Sequence, residues 1–131
     1  MEQNRIEETI RKKRAELEKL EDEYHRSRQK LDAEYDRLDS RKQQFENMIE
    51  TKYEVGIHYL RQSDEDISDQ CHQLQSILED YLFMGDTCFH EERRSIENKE
   101  KQLEQEYKKE YCRQEEELEE MRRLAQSRGE E

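Results

Sequence analysis

Apolar side chains recur every seven residues along the first part of this chain: Ile10, Leu17, Tyr24, Leu31, Leu38 and Phe45, with the row resuming at Tyr59 after Lys52. A seven-residue row puts all its members on one stripe of an α-helix, a geometry that the two-residue period of a strand cannot share. The companion row three residues on is thinner. It holds Leu20, Met48 and Val55, with Ile6 one heptad ahead of Lys13, and is interrupted by Lys13, Ser27, Glu34 and Arg41. One strong row beside one intermittent row describes a narrow seam that pairs with one or two other helices.

Composition alone would leave disorder open, because 46% of the 131 residues are charged and only 30% are apolar. The period decides for helix, supported by the absence of Pro and by Glu97 with Lys101, Glu104 with Lys108 and Glu119 with Arg123, each Glu four residues ahead of its base. The net charge of −12 offers no basic face to nucleic acid. No window approaches the roughly 20 apolar residues of a membrane span, and the first residues lack the apolar run of a signal peptide. The expected location is therefore the cytoplasm, with leaderless export as the variant. Three widely spaced cysteines, Cys71, Cys88 and Cys112, suit reduced thiols better than a disulfide framework.

Two places interrupt the row. Between Tyr59 and Ile67 the spacing becomes four and four, through Ser63, before Ile67, Cys71, Leu74, Leu78 and Tyr81 resume. Such a stutter unwinds a supercoil without ending the helix. Gly56 and the Ser63-Asp64-Glu65-Asp66 stretch suggest a kink or a fresh capping box there. The second interruption is Leu82-Phe83-Met84-Gly85-Asp86-Thr87, where Gly85 suits a left-handed helix end and Asp86 or Thr87 the next cap. Beyond it Phe89, Ile96 and Leu103 continue at seven, followed by Tyr107, Tyr111, Leu118, Met121 and Ala125. The expected fold is all-α, an elongated antiparallel hairpin or coiled coil in one domain. A long first arm spans 2–83, continuous or kinked near 56–66, with a turn at 84–87 near Gly85. A second helix spans 88–128 and a disordered tail 129–131. Leu82, Phe83, Gly85 and Phe89 would form the hairpin tip.

That division has a functional corollary. A second arm of about 41 residues spans roughly 60 Å and covers only about Phe45 to Leu82, which leaves residues 1–40 without a partner in a two-helix hairpin, so that they either fold back as a third helix or bind another chain. Leu17, Tyr24, Leu31, Leu38 and Phe45 then become the candidate anchors for another protein. No catalytic residues, metal ligands or cofactors are expected. The pairs Cys71-His72 and Cys88-Phe89-His90 would lie too far apart to converge on zinc, and a thin seam gives no cleft in which paired carboxylates could have their pKa values pushed apart.

A Glu/Lys-rich helical hairpin with a Phe83-Met84-Gly85 turn, Phe89 shortly after it and no signal peptide resembles a known group. It is similar to the LXG-toxin-associated α-helical (Lap) proteins of Gram-positive type VII secretion systems, in particular their more charged class, and more distantly to the WXG-type hairpins. The resemblance implies a non-enzymatic adaptor or targeting chaperone that binds the helical N-terminal domain of a cognate LXG toxin, alongside a second small helical protein. The alternative is a structural or export-stalk-like coiled coil that forms a homodimer or engages a secretion ATPase.

Overall fold

The computed structural model describes residues 2–129. Two helices make up the fold, α1 (Glu2–Arg61) and α2 (Ser68–Gly129), with no strand among the described residues. The all-α hairpin expected from the seven-residue row is present. The site of its reversal is not the expected one, because the chain turns at 62–67 and residues 84–87 lie inside α2. The first helix, at 60 residues, is accordingly no longer than the second, at 62. Of the tail expected at 129–131, Gly129 closes α2 and the last two positions lie outside the described residues.

Local chemistry explains why the turn forms where it does. Helix α1 ends in a tightened turn, with the Gln62 and Ser63 amides donating to the Tyr59 and Leu60 carbonyls. The Glu65 amide then donates to Ser63 Oγ at 3.3 Å. Asp66 Oδ1 accepts from both the Ser68 amide and the Ser68 hydroxyl, at 3.1 and 2.7 Å, just where α2 begins. Short polar side chains thus satisfy backbone donors that the helix ends leave open. The same two bonds hold the Asp66 carboxyl below its ordinary range.

The chain divides into two compact units. Unit 1 comprises Met1–Leu31 and Asn98–Glu131. It is an antiparallel helix pair: partner positions fall as the first helix advances, from Gln3 on the Ala125 carbonyl to Lys13 on Glu117, Tyr24 on Tyr107, and Arg28 on Glu104. Leu17 and Leu118 are buried in its seam, and the Tyr24 and Tyr107 rings stack with centroids 4.1 Å apart. Burial is the first cause that raises the Tyr107 pKa, followed by the nearby Glu21 charge.

Unit 2, Asp32–Glu97, contains the reversal. Its seam buries Leu38, Ile49, Leu78 and Ile96. Here the inward row leaves its heptads. On α1 the shielded positions run Phe45, Ile49, Gly56, Leu60, and on α2 Leu78, Leu82, Gly85, Phe89, so an eleven-residue step replaces a seven-residue one on both helices. The two steps face each other: Phe45 meets Phe89 edge-on at 5.8 Å and lies against Gly85. A Cβ at Gly85 would fall 2.7 Å from Phe45 Cζ and nearer still to Cε1. Gly85 therefore serves close approach rather than helix termination, and no glycine among the described residues has positive φ.

Candidate functional site

With the turn at 62–67, residues 1–40 do not lack cover. The five expected partner anchors are part of the chain's own interior, which corrects the premise on which they were selected. Leu17, Leu31 and Leu38 are 9%, 7% and 3% exposed. Tyr24 is half-buried on Tyr107, and Phe45 is half-buried on Gly85 and Phe89. The expected tip residues are likewise redistributed along α2. Leu82, Gly85 and Phe89 face the seam half-buried, whereas Phe83 is 75% exposed.

Surface capable of meeting another molecule is concentrated in unit 2. Its exposed large apolar side chains are Met48, Tyr53, Val55, Tyr59, Ile77, Tyr81, Phe83 and Met84, whereas in unit 1 Leu124 alone among the described residues belongs to that class. Single exposed apolar residues are ordinary on protein surfaces, whereas contiguous ones are not, so what matters is how this set is arranged on the helices.

Helical geometry sorts this set into two sides. Successive residues are about 100° apart, so the neighbours of an inward residue fall on opposite flanks. Ile49 and Leu78 point inward; Glu50 and Glu79, one position after each, line a groove of about 680 Å³. Its floor is Ile49, Leu78 and Leu82, its walls add Glu46, Tyr53 and Asp86, and Gln75 completes the lining. This side is an apolar trough rimmed by four carboxylates.

Met48 and Ile77, one position before the inward residues, consequently share the other flank. The rows they belong to are Met48, Lys52, Val55, Tyr59 on α1 and Ile77, Tyr81, Met84, Cys88 on α2, all exposed. At one end this flank is closed by Arg41, one heptad before Met48, whose Nη2 donates to Glu92 at 2.9 Å. None of the eight row positions carries a carboxylate, although the whole chain has 36.

A second opening in unit 2, about 590 Å³, lies between Leu38, Asp39 and Lys42 on α1 and residues 83–94 of α2, with Asp39 paired to Arg93 at 2.8 Å. Its lining mixes both signs of charge over Phe83 and Phe89 and converges on no single chemistry. Among the described residues no three His, Cys, Asp or Glu side chains are grouped to hold a metal ion. No described helix is long and apolar enough to cross a membrane. Cys71 is half-buried, while Cys88 and Cys112 are exposed thiols. Comparison of the chain with protein-family models, with curated proteins and with solved structures gives no match.

The sequence did contain a signal for this surface. Met48, Val55 and Tyr59 stand in the apolar rows that run on from the N-terminal half. Periodicity reveals that a row exists but not which neighbour it faces, and at Phe45 the inward row leaves it.

Proposed function

We propose that the protein is a non-enzymatic adaptor that receives an amphipathic helix of another protein in the carboxylate-rimmed groove of unit 2. One observation carries this reading: a groove floored by half-buried Leu82 above the buried Ile49 and Leu78 runs between Glu46 and Glu50 on one helix and Glu79 and Asp86 on the other. A helix is recognised in such a trough through apolar anchors at three- and four-residue spacing, and rim charge selects among helices by attraction and repulsion. The acidic rim favours a helix with Lys or Arg beside its anchors. The resemblance to the toxin-associated helical proteins supplies the partner class, the helical N-terminal domain of an LXG toxin on its way to type VII export. The contact residues differ from the first expectation, since Leu17, Tyr24, Leu31, Leu38 and Phe45 are occupied within the chain.

The test is affinity capture of the tagged protein from its native host, with bound chains identified by mass spectrometry, beside a Glu50→Lys/Glu79→Lys variant. Recovery of an LXG-type polypeptide with the native chain and its loss with the variant is the expected result. Retention of that polypeptide by the variant would remove the groove from the proposal, and its absence from the native eluate would remove the toxin.

A further inference from the structure

The flank opposite the groove has a different character, and we infer that it is covered by a second copy of the same chain, forming a four-helix array in unit 2. Met48, Lys52, Val55, Tyr59 and Ile77, Tyr81, Met84, Cys88 both advance by four, three and four, the step of a helix-packing seam. Each helix of unit 2 therefore carries two seams, one turned inward and one left exposed.

The angle between the two seams identifies the kind of occupant. Counting about 100° per residue, the outer seam lies roughly 80° around α1 and roughly 100° around α2 from the inward one. Helices at the corners of a four-helix array meet their two neighbours at about 90°, whereas a single added helix in a triangular bundle asks for about 60°. The flank is thus shaped for a pair of helices with matching outer seams, and a second copy supplies such a pair.

Charge and area agree with that occupant. Two chains of net charge −12 repel, so copies can meet closely only where carboxylates are absent, and these two rows are free of them. Met48, Val55, Tyr59, Ile77, Tyr81 and Met84 are 45%, 63%, 74%, 53%, 53% and 60% exposed. Together they offer roughly 700 Å² per copy, close to the ~800 Å² per partner of a stable interface before any flanking residue is counted. Lys52, alone as a charge in the rows, has the register-setting role that one polar seam residue plays in coiled coils.

The measurement is the mass of the purified full-length chain by light scattering at micromolar concentration. The expected value is twice the 16.3 kDa of one chain. Val55→Glu with Ile77→Glu should return the single-chain mass with an unchanged far-ultraviolet helical signal, because both residues are exposed within one copy. Lys52→Leu should slow dissociation on dilution at least tenfold. Glu50→Lys/Glu79→Lys, on the opposite flank, should leave the doubled mass intact, so the adaptor reading and this one fail separately. A native chain of single mass, a doubled mass that survives Val55→Glu/Ile77→Glu, or a one-to-one complex with a different protein broken by those substitutions would each overturn the inference.

Discussion

Unit 1 and unit 2 are built from the same two helices in the same antiparallel sense, yet they treat their surfaces differently. Unit 1 brackets its seam with charge: Lys13 reaches Glu117, Arg28 reaches Glu100 and Glu104, and Arg128 reaches Glu2. Along α2, Arg113 adds contacts to Glu110 and Glu117. In unit 2 the cross-helix ion pairs include Arg41 with Glu92 and Arg93 with Asp39, on the side of Phe45 and Phe89 away from the turn. Nearer the turn the flanks carry apolar side chains or the rim carboxylates Glu46, Glu50, Glu79 and Asp86, of which Glu79 accepts from Gln75 Nε2 at 3.2 Å. Exposed ion pairs add little stability, with a median near 0–1 kcal/mol, but they exclude apolar contacts from a surface. Unit 1 thus surrounds its seam with ion pairs, whereas unit 2 exposes large apolar side chains beside its own.

The largest effects should follow from the shared element, the buried seam. Leu118→Ala in unit 1 and Leu78→Ala in unit 2 should each cost about 2–3 kcal/mol, the lower part of the range for buried leucines because a two-helix seam collapses easily around a lost side chain. Urea denaturation followed by circular dichroism measures both. A cost confined to one unit would break the equivalence of their interiors.

Glycine substitutions sharpen the contrast inside unit 2. Gly85→Ala gains about 1 kcal/mol of helix propensity but forces the Phe45 ring to move, which costs about 1–3 kcal/mol, so net destabilisation is expected. At Gly56 the obstacle is Leu74 Cδ2, 2.6 Å from the added Cβ, the end of a side chain that can rotate. Gly56→Ala should therefore be neutral or stabilising. In a Phe45→Leu background the Gly85→Ala penalty should shrink, and thermal melts of the double-mutant cycle would detect the coupling.

Asp66→Ala removes the acceptor that closes the turn on Ser68 and should lower stability, by less than loss of a seam leucine, as loss of a helix cap does. Because folding holds the Asp66 carboxyl below its ordinary value, its contribution is complete above that value. It is lost as pH falls through the lowered one. The chain with Ala at this position should show a weaker loss of stability on acidification.

The smallest effect concerns the charges of unit 1. Glu110, held to about 2 first by its hydrogen bond from Arg113 and then by Gln114, should favour the folded chain at neutral pH and lose that contribution between about 4.5 and about 2. Glu110→Gln should flatten that part of the acid titration of stability only slightly, because the pair is exposed to solvent. A shift as large as that of a seam leucine would contradict the view that these ion pairs shape the surface rather than hold the fold.

How much was legible can be argued residue by residue. The row Ile10, Leu17, Tyr24, Leu31, Leu38 and Phe45 foretold helix and a narrow seam, since a period of seven is a property of one strand of sequence. Ser63 to Asp66 displayed the chemistry of a helix boundary, and the turn forms there. Gly85 is by itself the stronger punctuation because glycine so often ends helices, but the same residue also permits close packing, and only the approach of Phe45 distinguishes the two uses. Misplacing the turn by some twenty residues was enough to convert a chain's own core into an apparent binding site.

By itself, then, the sequence determined that this protein is helical, that its helices pair through thin apolar rows, and that charge dominates what remains. These are local matters of period, propensity and composition. Tertiary structure decided which helix face meets which, and so which apolar residues are spent inside and which stay exposed. The physical reason is that a hairpin's register follows from where it turns and from side chains that touch across it, such as Phe45 on Gly85, and such contacts join residues that no local pattern connects.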